Sequence, residues 1–171
     1  CLEDPAVVAY PIHRVLKDSP PIHADWQPRL SSVCQLAPVR SLEALTTWLA
    51  REPGQGRFGY YESGRYLQAI LRDEVLAPWL LRPTTSPAVA GLDVALLHHL
   101  LLPRLVGAEP GANSMFRYTP DASEAVAMVD RQEGKCAWLL RPIPLPQVFA
   151  LAAQGLTLPQ KTTYFYPKVP S

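Results

Sequence analysis

The residues with the greatest capacity for chemistry lie near the C-terminus, in a short segment that contains two prolines. From Pro159 the chain reads P-Q-K-T-T-Y-F-Y-P-K, ending at Lys168. Lysine ammonium groups and the hydroxyls of threonine and tyrosine can donate hydrogen bonds to an anion, and tyrosine rings can stack on a ligand. The segment therefore predicts a ligand site formed by Lys161, Thr162, Thr163, Tyr164, Tyr166 and Lys168. The alternative is a terminal strand whose aromatic side chains fill a gap in the core, and the sequence alone favours neither.

A second pair of candidate residues, His13 and Arg14, lies at the centre of an apolar run near the N-terminus. Successive side chains on a strand point to opposite faces, so one of the two is expected on the covered face of a sheet. A buried Arg or His needs a partner, usually a carboxylate or a phosphate. The residues favour a structural ion pair, and the alternative, in which His13 and Arg14 contact a ligand, is kept as a prediction.

A glycine pattern, G-x-G-x-x-G, occurs at Gly54, Gly56 and Gly59. The dinucleotide-binding fingerprint needs a strand before the glycines and a helix after them, so that the pyrophosphate meets a helix N-terminus. Here a predicted helix precedes the glycines and a predicted strand follows them. A helix-to-strand turn explains the pattern better than a nucleotide loop does.

The sequence contains little evidence for a metal site or for a catalytic nucleophile. His98 and His99 are adjacent, so on a helix their side chains point about 100° apart and cannot chelate one metal together. Cys1, Cys34 and Cys136 lack the paired spacing of zinc or redox sites. There is no G-x-S-x-G nucleophile elbow, and no paired carboxylates fall in a segment with a buried pattern. No metal site is predicted, and the catalytic residues and any cofactor are left unassigned.

Strand and helix patterns alternate along the chain around one hairpin, which predicts a mixed α+β fold: a mixed β-sheet covered by helices, in a single globular domain over residues 1–171. The first predicted strand is 7–16, with Pro11 inside it indicating an edge or a bulge. The other predicted strands are 34–39, 57–62, 65–72, 115–118 and 135–141, with a hairpin turn at Ser63-Gly64. The predicted helices are 24–33, 42–51 with Ser41 as N-cap, 93–106 with Asp93 as cap, one after a capping box at Asp121 and Glu124, and 145–153 ended by Gly155. The proline-rich stretch 76–90 is expected to be an irregular surface connection.

The composition excludes several classes of protein. The net charge is +1 and the 16 Lys and Arg residues are scattered, whereas a nucleic-acid binder needs a concentrated basic face, so no nucleic-acid partner is predicted. No stretch reaches the roughly 18 apolar residues that a membrane span requires. Widely spaced cysteines without a disulfide pattern favour a reducing cytoplasm. The chain begins with Cys1 rather than Met, which leads us to expect a fragment of a longer protein.

Three motifs occur in order along nearly the whole chain: Asp4-Pro5 leading into Pro11-x-His13-Arg14, then Asp93-x-x-Leu96-Leu97-His98, and finally Pro159-Gln160-Lys161-Thr162-Thr163-Tyr164-Phe165-Tyr166-Pro167-Lys168. In order and spacing they resemble the C-terminal half of the bacterial and archaeal proteins catalogued as domain of unknown function 1015. The last motif is the most specific, and Thr162 stands where that family usually has Ser, which keeps the hydroxyl. The family's other signature, D-G-H-H-R, belongs to the preceding half and is absent here. That signature is similar to boxes of the ParB and sulfiredoxin group, which handle nucleotide phosphates.

The resemblance implies that a complete family member handles a phosphorylated small molecule or nucleotide, and that this chain supplies only part of the site. The first hypothesis is therefore a domain of a cytoplasmic enzyme or binder for such a ligand, with the C-terminal motif contributing anion contacts. The alternative is a non-catalytic structural or protein-interaction module whose C-terminal aromatic residues are core or anchor residues. Both leave open a homodimer or a contact with a missing N-terminal half.

Overall fold

A six-stranded antiparallel sheet is the centre of the fold. The computed structural model describes residues 8–17, 26–82, 86–106, 115–158 and 161–166, with the backbone alone at residues 8 and 163–166. The strands lie in the order β3-β5-β4-β7-β2-β6, where they are β2 (His13–Leu16), β3 (Cys34–Val39), β4 (Arg57–Glu62), β5 (Arg65–Leu71), β6 (Phe116–Thr119) and β7 (Cys136–Leu139). The α+β class with one hairpin is confirmed. Within the described residues, however, every strand pair is antiparallel, so the sheet itself is not mixed.

A small second sheet joins the two ends of the described chain. Strand β1 (Val8–Pro11) pairs antiparallel with β8 (Thr163–Tyr166), and Pro11 lies opposite Thr163. The sequence predicts Pro11 as a bulge or an edge position, and the structure separates β1 from β2 at Ile12, where the chain passes from one sheet to the other. The N-terminal strand and the C-terminal motif are therefore neighbours.

Helices cover both faces of the six-stranded sheet. One face carries Leu16, Phe58, Tyr60 and Trp138 and packs against α1 (Trp26–Val33) and the helical segment 93–106. The other face carries Val15, Tyr61, Ala137 and Leu139 and packs against α2 (Leu42–Arg51) and α7 (Ala122–Asp130). With both faces covered, both members of the pair His13 and Arg14 are buried, although the sequence predicts only one of them inside.

The predicted helix 93–106 exists but changes character along its length. It runs through α5 (Asp93–Ala95), a π-helical stretch (Leu96–Leu101) and α6 (Leu102–Val106). π-Helical turns are rare and are found frequently at functional sites. Leu96, Leu97, Leu100 and Leu101 are buried, as the nearly all-apolar sequence predicts.

The prediction for the stretch 76–90 is wrong, because part of it is helical. α3 (Asp73–Leu80) begins with two acidic residues that favour a helix N-terminus, and it accommodates Pro78 near its C-terminal end. α4 (Pro87–Ala90) begins at a proline, a residue suited to the first turn of a helix.

Local turn and cap signals are otherwise confirmed. Ser41 accepts a hydrogen bond from Ala44 N at 3.2 Å, and Asp121 accepts from Ser123 N at 2.8 Å. The last helix, α8 (Leu145–Ala153), is followed by Gly155 with a φ of +68°, in the left-handed region that suits glycine after a helix. Across the described ranges, every helix is too short or too polar to cross a membrane.

Candidate functional site

A cleft of about 550 Å³ opens beside the end of β7. Its walls come from four parts of the chain: the loop after α2, the turn before α5, the segment after β7 and the C-terminal motif. The lining residues are 50–55, 91–94, 140–144, Gln147 and Thr162. A concave site at which several segments meet, with both polar and apolar walls, is the usual form of a small-molecule site.

An ion pair between Asp93 and Arg141 forms one wall of the cleft. Arg141 Nε donates to Asp93 Oδ2 at 2.7 Å, and the carboxylate is more deeply buried than the guanidinium, with side-chain exposures of 9% and 24%. Burial raises the pKa of Asp93, and Arg141 opposes that rise. Arg141 also donates to the carbonyls of Glu52 (2.9 Å) and Gly54 through its terminal nitrogens, each of which retains a further hydrogen.

Asp93 does not cap its own helix, contrary to the prediction. Its Oδ1 accepts from Gly56 N at 2.7 Å, in the loop after α2, and the N-cap position is Leu92. The carboxylate accepts from the loop and from Arg141 instead of from the first turn of its own helix.

The glycine loop is a helix-to-strand turn, as the flanking patterns predict, and it is also a wall of the cleft. Gly54 and Gly56 have φ of +107° and +69°, values that residues with a side chain rarely adopt. Gln55 lies against Gly91, where an added Cβ would fall 2.3 Å from Gln55 Nε2. The loop is thus held by Asp93 and seated on Gly91.

Arg14 occupies the sheet face that packs on the π-helical stretch, and its guanidinium is surrounded by internal acceptors. Nε donates to His98 Nε2 at 3.0 Å, one terminal nitrogen donates to Lys161 O at 2.6 Å, and the other donates to Ile12 O. The guanidinium carbon also lies 5.7 Å from the centre of the Tyr118 ring. Arg14 is fully buried and holds the start of the C-terminal motif through a backbone carbonyl.

His13 points to the opposite sheet face. Its Nδ1 accepts from Leu140 N at 3.2 Å, and the residue is 4% exposed. It lines a side pocket of about 130 Å³, and Ala50, Leu140, Arg141 and Pro142 line both this pocket and the cleft.

Within the C-terminal motif, Lys161 and Thr162 are the two residues whose side chains the structure describes. Thr162 is buried and lines the cleft, whereas Lys161 is exposed, with its Nζ 5.8 Å from the centre of the Tyr118 ring. Lys161 has a φ of +57°, so the chain turns sharply before β8. Thr163, Tyr164 and Tyr166 are placed in β8 by their backbone, and Lys168 lies outside the described residues.

The predicted site residues therefore converge in part. Thr162 reaches the cleft and His13 reaches its side pocket, while Arg14 is directed into the core. Sequence reasoning missed Arg141 and assigned Asp93 to a cap. A signal for both existed, since each is a charged residue at the edge of a strongly apolar segment.

In the described part of the chain, no group of three His, Cys, Asp or Glu residues could hold a metal ion. Cys34 and Cys136 are buried free thiols, and burial raises the pKa of Cys34 to about 12, so they act as small apolar residues.

The sequence matches no protein-family model and no curated protein. Its fold is similar to a conserved hypothetical protein from Pyrococcus furiosus, with a TM-score of 0.52 and 14% identity over 98% of this chain. It is also similar to a free serine kinase in complex with AMP, with a TM-score of 0.50 and 14% identity over 95% of this chain. The chain spans 60% and 55% of the lengths of these two proteins. At these identities the likeness shows the fold alone.

Proposed function

We propose that this chain contributes a binding site for a phosphorylated small molecule or nucleotide, with the segment P-Q-K-T-T-Y-F-Y-P-K supplying anion contacts. One observation carries the proposal: Thr162 of that segment lines the same cleft as the glycine loop and Arg141. Hydroxyl, guanidinium and backbone donors around a concave space are suited to phosphate oxygens.

The charge balance of the cleft decides which groups would contact the phosphate. Asp93 neutralises part of the Arg141 charge, so the cleft is not a strongly cationic trap. The phosphate contacts are assigned to the remaining hydrogens of Arg141, to Thr162 and to the ammonium of Lys161, an exposed residue that directly precedes Thr162. Arg14 is assigned a positioning role, because its donors are directed at His98, Ile12 and Lys161.

Two further observations support the proposal. The fold is shared with a free serine kinase whose structure contains AMP. The resemblance to the C-terminal half of domain of unknown function 1015 leads to the same ligand class, and we propose that the chain is the corresponding part of a longer, cytoplasmic family protein. In that arrangement the preceding half would supply any acid or base for a reaction.

The second candidate is a non-catalytic structural or protein-interaction module. The engagement of Arg14 favours it, since a fully buried guanidinium with internal acceptors stabilises the fold without any ligand. In this alternative the C-terminal aromatic residues anchor the end of the chain or a partner.

Thermal unfolding of the chain with a panel of phosphorylated metabolites and nucleotides, AMP included, separates the two candidates. A ligand at about 100 times its Kd should stabilise the chain by roughly 2.7 kcal/mol. Each compound is tested on the wild type, on Lys161→Gln and Thr162→Val, and on Lys135→Gln, a half-buried lysine that does not line the cleft. Each ligand-induced shift is referred to the same variant without ligand.

Under the binding proposal, the shift is smaller in Lys161→Gln and Thr162→Val and unchanged in Lys135→Gln. A wild type that no phosphorylated compound stabilises would overturn the proposal and leave the structural module.

A further inference from the structure

The side pocket beside the cleft differs from it in chemistry. The pocket, of about 130 Å³, is lined mainly by apolar groups, among them Leu49, Leu140 and Pro142. Arg141 is the charged side chain on its wall, and His13 and Thr46 supply its uncharged polar atoms. A pocket of this kind suits a short uncharged group better than a second phosphate, because burying an unpaired charge is costly.

The hydrogen bond from the main chain fixes the state of His13. Leu140 N donates to Nδ1 at 3.2 Å, so a neutral ring carries its hydrogen on Nε2. Burial and the charge of Arg14 lower the pKa of His13 to about 4, against a smaller opposing effect of Asp121, so the ring is neutral near pH 7. Among the described residues the other ring nitrogen, Nε2, has no hydrogen-bond partner, so it remains for a ligand as a donor.

Thr46 supplies a hydrogen-bond acceptor, where His13 supplies a donor. Its hydroxyl donates its single hydrogen within α2, to Leu42 O at 3.0 Å or Glu43 O at 3.1 Å. The lone pairs of Oγ then remain as acceptors. The side pocket thus offers a donor from His13 and an acceptor from Thr46.

We propose that the side pocket is a subsite for a hydroxyl-bearing part of the ligand, with His13 Nε2 donating to that hydroxyl and Thr46 Oγ accepting from it. The subsite rests on the proposed function, because the phosphate of the same ligand lies in the adjoining cleft. A hydroxyl both accepts and donates through a single uncharged atom, which a carbonyl oxygen or an alkyl group does not. The ligand class is therefore a phosphorylated alcohol that keeps a free hydroxyl.

A matched pair of compounds tests this assignment. 3-Hydroxypropyl phosphate and n-butyl phosphate have the same number of heavy atoms and differ by a hydroxyl in place of a methyl group. Isothermal titration calorimetry on the wild type should give a Kd about tenfold lower for the hydroxyl compound, the size expected for an uncharged hydrogen bond in a closed site.

Two substitutions at His13 separate a ligand contact from a structural role. In His13→Asn the side-chain oxygen can still accept from Leu140 N, but the side chain is too short to replace Nε2. In His13→Gln the amide nitrogen reaches the Nε2 position, while the acceptor for Leu140 N is lost. The preference for the hydroxyl compound should disappear in His13→Asn and persist in part in His13→Gln. If His13 is only structural, the preference should instead persist in His13→Asn, which keeps the bond from Leu140 N, and disappear in His13→Gln, which loses it. Thr46→Val, with His13 intact, should weaken the preference.

The outcomes distinguish the subsite from the proposed function. Equal Kd values for the two compounds on the wild type, or a full preference retained in His13→Asn, overturn the subsite and leave the phosphate cleft standing. Binding of neither compound, nor of any phosphorylated compound in the thermal panel, overturns the proposed function and the subsite with it. Urea unfolding of each variant shows that it is folded at the assay temperature.

Discussion

At the scale of single residues, the molecule contains two buried basic side chains that differ in charge state. Arg14 keeps its charge and is surrounded by carbonyls, an imidazole and the ring of Tyr118. His13 is uncharged and accepts a backbone hydrogen bond. The difference follows from chemistry, since a guanidinium cannot lose its proton in a protein and an imidazole loses it readily.

Replacing Arg14 should reveal how much the buried guanidinium stabilises the fold. Arg14→Met leaves the carbonyls of Ile12 and Lys161 and the ring of His98 without their donor, so we expect the free energy of unfolding to fall by about 2 to 4 kcal/mol. Urea unfolding measures this loss. The control is Arg65→Met, a side chain 55% exposed, for which we expect less than about 1 kcal/mol. A similar small loss for Arg14→Met would mean that Arg14 does not hold the C-terminal motif.

The histidines predict a loss of stability in acid. Burial first, and then Arg14, lowers the pKa of both His13 and His98 from 6.5 to about 4. The unfolded chain therefore binds more protons between pH 6.5 and 4, so their contribution to stability is complete above pH 6.5 and is lost as the pH falls through 4. We expect a loss of roughly 3 kcal/mol for each of the two histidines between pH 7 and pH 4.

Substitution at His98 isolates its share of this pH dependence. In His98→Gln the amide oxygen can still accept from Arg14, so stability at pH 7 should change little while the slope between pH 6.5 and 4 becomes shallower. His99→Gln is the matched control, a substitution of an exposed histidine on the same helical stretch. An unaltered slope in both variants would remove His98 as a source of the acid sensitivity.

At the scale of elements, β4 shows how close packing limits the sequence of a central strand. Gly59 lies opposite Gln68 on one side and Leu139 on the other. An added Cβ would fall 2.9 Å from Leu139 Cβ, closer than real Cβ contacts come, and 3.0 Å from Leu45 Cδ2, tighter than most of them. The glycine lets α2 approach the sheet at this point.

Gly59→Ala should therefore lower the free energy of unfolding by about 1 to 3 kcal/mol, as expected for overpacking. Gly64→Ala is the control from the hairpin turn, where nothing lies within 4 Å of an added Cβ but φ is +80°. There the loss should be about 1 kcal/mol, from backbone strain alone. Urea unfolding of the pair, together with Gly59→Ala in a Leu45→Ala background, tests the cause, because removing the Leu45 side chain should relieve its part of the clash and leave the contact with Leu139 Cβ.

At the scale of the whole molecule, Asp93 and Arg141 connect parts of the chain that lie far apart in sequence. The Asp93 carboxylate accepts from Gly56 N in the loop after α2 and from Arg141, the second residue after β7. Arg141 also donates to two carbonyls of the same loop. The shape of the cleft therefore depends on this ion pair, whose members belong to two separate segments.

A double-mutant cycle with Asp93→Asn and Arg141→Gln should give a coupling energy of about 1 to 3 kcal/mol in urea unfolding. Arg141→Gln alone should be the more harmful change at pH 7, because it leaves a buried carboxylate without its cation. Its deficit should shrink as the pH is lowered and Asp93 takes up a proton, since burial raises the pKa of that carboxyl. Additive effects of the two substitutions would show that the pair does not organise the cleft.

Much of the local structure could be predicted because its causes are local. Ser41 and Asp121 cap helices through contacts within three residues, and the Ser63-Gly64 turn needs only the residues around it. The candidate site was harder to predict, because Asp93 fits a helix cap equally well until its true partners are known. Those partners, Gly56 and Arg141, lie 37 and 48 residues away.

By itself the sequence determined the α+β class, the hairpin, most helix and strand positions and the concentration of donor groups in the C-terminal motif, since periodicity and turn residues act over a few positions. The tertiary structure decided that helices cover both sheet faces and that His13 and Arg14 are both buried. It also decided that Thr162 shares a cleft with a glycine loop more than a hundred positions earlier in the chain. These outcomes depend on which distant segments meet. The hydrophobic effect that brings such segments together is non-directional, so it does not by itself specify which of them will be neighbours.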